Sequence, residues 1–256
     1  MTPSSMPKIP PTNDLVEVRD PGEGLCELPA PWPVIPGGWT RQSWQIQGQP
    51  LELILPAKPD AFLDDPDVEK RHEHDGYMPY WAYLWPSAVH LAQRIDKAPW
   101  PVGSSVLELG CGVGLVGMAA ARRGDFVTFS DYDPLAVQVC QWNAARLGLA
   151  SIAGEVYDWR QPAVDGRHTA LIGCEVIYET RNHAPLLDVL DHRLEAGGVA
   201  WFADGGRTRA EAFGTLLVQR GYEFQLLDEQ LQPLSDYRYG RFQLLEIRRS
   251  SQARMS

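Results

Sequence analysis

Residues 106–120 read VLELGCGVGLVGMAA. The apolar run that ends at Leu109 is typical of a buried strand, and the apolar run after Gly114 is typical of a helix. Gly110 and Gly112 allow the backbone between these two runs to turn tightly. A helix that begins directly after such a loop presents unpaired N–H groups to a negatively charged group. The stretch therefore predicts a strand–loop–helix unit with a ligand site at its turn.

Strand-like and helix-like segments alternate from about residue 86 to the end of the chain. The strand-like segments are SSVLELG, DFVTFSD, EVYDW, TALIGCEV and GGVAWFAD, and a final pair, YEFQLLDEQ and GRFQLLEIRR, has no helix between its members. Alternating strands and helices favour a mostly parallel sheet with helices on both faces. The sequence thus predicts an α/β, Rossmann-like, doubly wound fold whose last strand runs antiparallel to its neighbour.

The pattern divides the chain into four parts. Residues 1–36 hold nine of the 21 prolines, which predicts an extended or disordered arm. Residues 37–77 predict short strands followed by a charged loop. Residues 78–250 form the predicted α/β domain, and residues 251–256 form a tail.

Composition excludes several classes of protein. The net charge is −10, which disfavours nucleic acid as a partner. No apolar run reaches the ~18 residues that a membrane span needs, and the first residues do not resemble a signal peptide. The four cysteines lie far apart, so we expect reduced thiols and a cytoplasmic protein. His72 and His74 lie in the charged loop without a third ligand at a typical spacing, so no metal site is expected.

The glycine loop belongs to a longer pattern. Gly112, Gly114 and Gly117 satisfy G-x-G-x-x-G, and Asp131 follows at the end of the second strand, where a carboxylate accepts hydrogen bonds from ribose hydroxyls. Asp133 supplies the cap of the next helix, which leaves Asp131 for a ligand. These features fit both NAD and S-adenosylmethionine.

The stretch ELGCGVG resembles motif I of the class I, seven-strand S-adenosylmethionine-dependent methyltransferases, which place an acidic residue before the glycines. Residues 78–92, MPYWAYLWPSAVHLA, and residues 173–179, GCEVIYE, resemble one branch of that family. The branch contains protein lysine methyltransferases, such as the electron-transfer flavoprotein beta-subunit lysine methyltransferase, and nicotinamide N-methyltransferase-like proteins. The resemblance covers about residues 78–250 and implies a seven-stranded sheet.

The resemblance implies a role for each matching residue. The methionine part of S-adenosylmethionine would be held by Glu108 and the glycine loop, the ribose by Asp131, and the adenine by the Asp158–Trp159 segment. Trp85 would cover the sulfonium, where a cation–π contact is physically reasonable. The residues implied in cofactor binding are Trp85, Glu108, Gly110, Gly112, Gly114, Asp131, Asp158 and Trp159.

The residues after the fourth strand are implied at the acceptor. Glu175, Tyr178 and Glu179 lie three or four positions apart, so a helical turn would bring them to one face. The branch commonly has aspartate where this chain has Glu175. The segment lacks the N/D-P-P-Y pattern that clamps planar amides and adenine amines. We therefore expect transfer to a protein lysine, with a small amine or a nicotinamide-like ring as the alternative.

Two other functional classes stay open from the sequence. An NAD-dependent oxidoreductase is disfavoured by Glu108, and a non-catalytic binding module is disfavoured by the intact motif residues. Further along the chain, Asp204 and Arg207 either line the substrate mouth or cap the following helix. Thr208 and Glu211 match a capping box for that helix. The sequence makes no prediction of oligomeric state.

Overall fold

The computed structural model describes residues 32–161 and 166–249. Seven strands form one sheet in the spatial order β5-β4-β3-β6-β7-β9-β8. Parallel pairing runs from β5 to β7, and β9 is antiparallel to both of its neighbours. The strands are β3 Ser105–Leu109, β4 Phe126–Asp131, β5 Ile152–Val156, β6 His168–Cys174, β7 Leu194–Asp204, β8 Tyr222–Leu227 and β9 Gln243–Arg249. The predicted fold class and its antiparallel last strand are confirmed.

Helices cover both faces of this sheet, and an apolar core lies on each side. Their bounds are α1 Pro66–Asp75, α2 Pro86–Arg94, α3 Leu115–Arg123, α4 Pro134–Arg146, α5 His183–Arg193 and α6 Ala210–Gln219. The predicted helix after Gly114 and the predicted Asp133 cap of the next helix are confirmed. Asp133 caps α4 by accepting from the Leu135 N–H at 2.9 Å, and Gly124 ends α3 in the left-handed conformation.

A two-stranded hairpin precedes the sheet, with β1 at Trp39–Ile46 and β2 at Gln49–Pro56. It packs onto α4, where the buried Asn143 side chain accepts from the Ile54 N–H and donates to the Ile54 carbonyl. The predicted short strands are confirmed. Residues 1–31 of the predicted arm and residues 251–256 of the predicted tail lie outside the described residues, and all four domain boundaries remain predictions.

The predicted charged loop is wrong over residues 66–75, which form α1. Asp65 accepts from the Asp67 N–H, Pro66 stands at the first helical position, and Gly76 follows the last turn in the left-handed conformation. These capping signals determine the helix although its residues are almost all charged. Two short 3₁₀ helices, Pro59–Asp64 and Tyr80–Ala82, flank it.

Two further expectations differ from the structure. The third strand is Ile152–Val156 rather than EVYDW, so Asp158 and Trp159 lie in the loop after it. The capping box at α6 is not formed, because Arg209 is the N-cap and no side chain caps the helix. The Glu211 carboxylate instead accepts from the Tyr239 hydroxyl at 3.1 Å. Within the described residues, no helix has the length and apolar character to cross a membrane.

Candidate active site

A cleft lies over the carboxyl ends of β3, β4 and β6, where the order of the strands reverses. Ligands of open α/β sheets bind at this position. The structure brings all the predicted site residues together along the cleft: Trp85, Glu108, Gly110, Gly112, Gly114, Asp131, Asp158, Trp159, Glu175, Tyr178 and Glu179.

The glycine loop forms the floor of the cleft. Gly110, Gly112 and Gly114 all have positive φ angles, of 61°, 52° and 81°, a conformation that a side chain would strain. Space is also limiting, because a Cβ on Gly114 would lie 2.6 Å from the Cys140 Sγ. A Cβ on Gly110 would reach the Trp159 ring at 3.4 Å. The loop therefore exposes backbone rather than side chains to the cleft.

Glu108 is the buried acid of this floor. The residue is only 4% exposed, and its carboxylate oxygen Oε2 has no hydrogen-bond partner among the described residues. Burial raises the pKa of Glu108 to about 8, although the Gly117 N–H acts in the opposite direction. A Cβ on Gly117 would lie 2.3 Å from Oε2, so this helix position must be glycine. Glu108 is an unsatisfied acceptor that a ligand donor would stabilise.

Asp131 connects the end of β4 to the glycine loop. One carboxylate oxygen accepts from the Gly112 N–H and the other from the Asp133 N–H, each at 3.0 Å. Burial raises the pKa of Asp131 to about 6, and these two N–H groups oppose that rise. Each oxygen keeps a second lone pair for a ligand hydroxyl. Asp131 therefore both organises the loop and fits the predicted ribose contact.

The Asp158–Trp159 segment lines one wall. The Asp158 carboxylate accepts from Arg160 Nε at 2.8 Å and Nη2 at 2.9 Å. Burial raises the pKa of Asp158, and the Arg160 contacts outweigh it, so the net shift is downward. The Trp159 ring packs against Gly110. The adenine contact stays a prediction, with the carboxylate paired to Arg160 in this structure.

Aromatic side chains surround the other end of the cleft. Trp85 donates from its indole Nε1 to the Tyr80 carbonyl at 3.3 Å, and the two rings are 6.1 Å apart. Tyr80 also meets the Tyr178 ring edge-on at 5.9 Å. The Arg207 guanidinium lies 5.5 Å from the Trp85 ring centroid. The cation beside Trp85 is therefore Arg207 here, and the sulfonium contact stays a prediction.

Glu175 is buried at this end, and both of its carboxylate oxygens accept hydrogen bonds. Its Oε1 accepts from the Ser87 hydroxyl at 2.5 Å, and its Oε2 accepts from Arg207 Nε at 2.9 Å. Its backbone has a φ of 56°, which is rare for a residue other than glycine. Strained backbone of this kind is concentrated at functional sites.

The expected helical turn from Glu175 to Glu179 does not form, because Glu175 is left-handed and the next 3₁₀ helix begins only at Thr180. The two carboxylates pair with different arginines: Glu179 accepts from Arg181 Nε at 2.6 Å. Tyr178 instead meets Arg207, whose guanidinium carbon is 5.6 Å from the ring centroid. Burial, reinforced by Glu179, raises the pKa of Tyr178 well above its ordinary range.

Sequence reasoning missed part of the site. Asp133 does more than cap α4, because it also accepts from the Tyr77 hydroxyl at 2.5 Å and from Arg71. These contacts hold α1, through Arg71, and the segment that begins at Tyr77 against the N-terminus of α4. In the sequence, the only signal for them is that Tyr77 directly precedes the MPYWAYLWP stretch. Of the two roles considered for Asp204 and Arg207, Arg207 lines the cleft, but no side chain caps α6. Asp204 instead accepts from the Gly206 and Arg207 N–H groups in the turn before that helix.

The residues present fit S-adenosylmethionine. Glu108 offers an unsatisfied acidic acceptor, the glycine loop offers close backbone approach, and Asp131 offers lone pairs for a diol. A planar ring face is available at Trp159. The donor set is that of a class I methyltransferase.

Comparison with known proteins supports this assignment. A model of the family described as "Lysine methyltransferase" matches residues 75–213, more than half of the chain, so the protein belongs to that family. The chain is 28% identical over 156 residues to EEF1A lysine methyltransferase 3 of Mus musculus, covering 57% of this chain and 65% of that relative. It is equally identical over 156 residues to the protein N-lysine methyltransferase METTL21A of Danio rerio, covering 54% and 67%. The matches thus span about two thirds of these relatives' length.

Solved structures confirm the fold. The T. thermophilus 16S rRNA N2 G1207 methyltransferase RsmC, in complex with AdoMet and guanosine, superposes with a TM-score of 0.57 at 17% identity, covering 85% of this chain and 52% of that one. At this identity the likeness shows the fold alone. The predictions of the methyltransferase class, its S-adenosylmethionine cofactor and its lysine methyltransferase family are confirmed.

Proposed function

We propose that this protein transfers a methyl group from S-adenosylmethionine to the side-chain amine of a lysine in a protein. One observation carries the proposal. The cleft that the glycine loop lines at its floor extends without interruption to an end lined by Trp85, Glu175 and Tyr178. Two of the relatives at 28% identity are named as lysine methyltransferases, and these names support the proposal.

The chemistry requires alignment more than covalent participation of the protein. When bound, S-adenosylmethionine supplies an electrophilic methyl group on a cationic sulfonium. The acceptor amine must lie in line with that methyl group and carry a free lone pair. Tyr80, Trp85 and Tyr178 give the acceptor end apolar walls that exclude water from this approach.

The acceptor must lose its proton, since a lysine amine has a pKa of about 10.4 in water. Burial lowers the pKa of an amine in this position, because it disfavours the charged form. Glu175 and Glu179 are each paired with an arginine, so neither carboxylate is free to hold the charged ammonium form. The Tyr178 phenol stays protonated at neutral pH, and its oxygen can accept an N–H of the amine and orient the lone pair. We expect the rate to rise with pH as the amine deprotonates.

The test uses methyl-labelled S-adenosylmethionine with cell lysate, followed by separation of protein, RNA and small-molecule fractions. We expect a discrete labelled protein that Glu175→Gln loses, because the neutral amide no longer holds the Arg207 guanidinium beside Trp85 and Tyr178 at the acceptor end, while affinity for S-adenosylhomocysteine falls much less. Glu229→Gln is the matched control, because its carboxylate also pairs with an arginine, Arg238, but does not line the cleft. Label only in the small-molecule fraction would contradict the protein acceptor and favour the small-amine alternative.

The cellular setting is part of the same proposal. A cytoplasmic location is the expectation from the cysteine spacing. The described cysteines are free thiols, and the closest pair, Cys111 and Cys140, keeps its sulfur atoms 3.5 Å apart. Fractionation of cells that produce the protein, with a cytosolic and a membrane marker, tests this location.

A further inference from the structure

Arg207 differs from the other arginines of the cleft in the number and kind of contacts that fix its position. Its Nε donates to the buried Glu175, and its backbone N–H donates to Asp204 at 2.7 Å. The guanidinium carbon also lies 5.5 Å from the centroid of the Trp85 ring and 5.6 Å from that of the Tyr178 ring. The side chain is thus held by its backbone N–H, by Nε and by contacts with two aromatic rings.

The two terminal nitrogens of this guanidinium remain available. No described residue accepts from Nη1 or Nη2 of Arg207, and the side chain is 34% exposed where it lines the cleft. Arg160 differs, because its Nε and Nη2 are both taken by Asp158. Arg181 differs as well, since its side chain is 59% exposed at the rim. Arg207 therefore places a fixed guanidinium in the cleft, with its two terminal nitrogens, Nη1 and Nη2, available as a pair of donors.

A free guanidinium fork is suited to a carboxylate, which it binds through two parallel charge-assisted hydrogen bonds. Glu175 already neutralises the positive charge of Arg207. A carboxylate that binds to Arg207 therefore needs a second positive charge nearby to balance its own negative charge. An amine-bearing acceptor brings that charge itself when it first binds. Such a ligand carries an amine and a carboxylate close together.

We propose that Arg207 is a specificity-determining residue that selects acceptors with a carboxylate beside the target amine. The inference rests on the proposed function, because it concerns the acceptor of that same site. On a protein, the carboxylate would be an aspartate or glutamate flanking the lysine, since consecutive Cα atoms are only ~3.8 Å apart. In a small acceptor, it would be the carboxylate of an amino acid or a related amine.

The test maps the acceptors and then removes their charge. Wild-type protein, Arg207→Met, Arg207→Lys and the control Arg181→Met are incubated with methyl-labelled S-adenosylmethionine and lysate. Labelled lysines are located by mass spectrometry, and labelled small molecules are identified in parallel. We expect an acidic residue next to the lysines that the wild type labels, or a carboxylate on any labelled small amine.

One mapped acceptor is then altered so that its neighbouring carboxylate becomes the amide. We expect kcat/KM to fall about tenfold or more with the wild type and with Arg181→Met, because a charge-assisted hydrogen bond is lost. With Arg207→Met the same change should lower kcat/KM by less than about twofold. With Arg207→Lys the loss should be intermediate, because lysine keeps the charge but lacks the two parallel N–H donors of arginine. Affinity for S-adenosylhomocysteine shows whether each variant keeps a folded cleft. If the methionine variant does not, the lysine variant carries the comparison.

Two results would overturn the inference alone and leave the proposed function standing. One is labelled lysines without acidic neighbours. The other is an equal loss of kcat/KM on carboxylate removal with wild type and with Arg207→Met. A labelled small amine without a carboxylate overturns the inference and contradicts the protein acceptor as well. Label in neither the protein nor the small-molecule fraction contradicts the proposed function itself, and the inference with it.

Discussion

Replacing Glu108 by glutamine should remove a large pH dependence from the stability of the protein. Burial raises the pKa of Glu108 from 4.5 to about 8. Between these two values the unfolded chain has lost this proton while the folded protein keeps it. Stability is therefore highest below about pH 4.5 and falls as the pH rises towards 8, because the folded state binds more protons there.

The size of the effect follows from the same two values. One pKa unit corresponds to about 1.4 kcal/mol, so the Glu108 contribution to the free energy of unfolding should fall by about 2 to 3 kcal/mol between pH 5.5 and pH 7.5. Glutamine has the same shape and does not titrate, so Glu108→Gln should lack this part of the slope. Asp131 and Asp204, whose pKa values burial also raises to about 6, remain in both proteins and cancel in the difference.

Urea unfolding of both proteins at a series of pH values between 5.5 and 8.5 measures this difference. The free energy of unfolding of wild type should fall more steeply with pH than that of the variant, and the two curves should diverge by about 2 to 3 kcal/mol over the first two pH units. Parallel curves would refute the reasoning, since Glu108 would then be ionised in the folded protein at neutral pH. Wild type should also release protons when it binds S-adenosylhomocysteine near pH 7, which calorimetry in buffers of different ionisation enthalpy detects.

Three further predictions concern the same floor and its support. Asp131→Ala should weaken S-adenosylhomocysteine binding by more than about tenfold in calorimetry, because it removes both the predicted ribose acceptor and the anchor of the Gly112 N–H; unchanged affinity would sink the ribose assignment. Gly114→Ala should destabilise the protein in urea by clearly more than Gly48→Ala, since both glycines have positive φ but only a Cβ at Gly114 meets Cys140, at 2.6 Å; equal losses would show that the collision is relieved at no cost. Tyr77→Phe should cost about 1–2 kcal/mol in the same assay, because the buried Asp133 loses a hydroxyl donor, and a neutral result would mean that Arg71 alone satisfies that carboxylate.

Local signals made most of the fold predictable. The run that ends at Leu109, the glycines after it and the Asp133–Pro134 cap each act over a few residues, so their positions in the sequence fix their positions in the structure. The charged helix α1 lacks the apolar periodicity that predicts most helices, and its signal lies only in its capping residues, Asp65 and Gly76.

The site was predictable in its members but not in its pairings. Glu175 and Tyr178 reach the cleft as their place after a parallel strand requires. The partner of Glu175, however, is Arg207, which lies 32 residues further along the chain at the end of another strand. Only the sheet order, which places β7 beside β6, brings these two side chains together. Contacts of this kind are set by tertiary packing, so a pattern within one segment does not specify them.

The most direct test of the account is the chemical identity of the methylated residue. Protein labelled by the wild type with methyl-labelled S-adenosylmethionine is hydrolysed to amino acids, and the label is followed by chromatography. The account predicts that the label elutes as Nε-methylated lysine and that Glu175→Gln abolishes it. Label in methylated arginine, in an alkali-labile ester or in no amino acid at all would contradict the lysine acceptor.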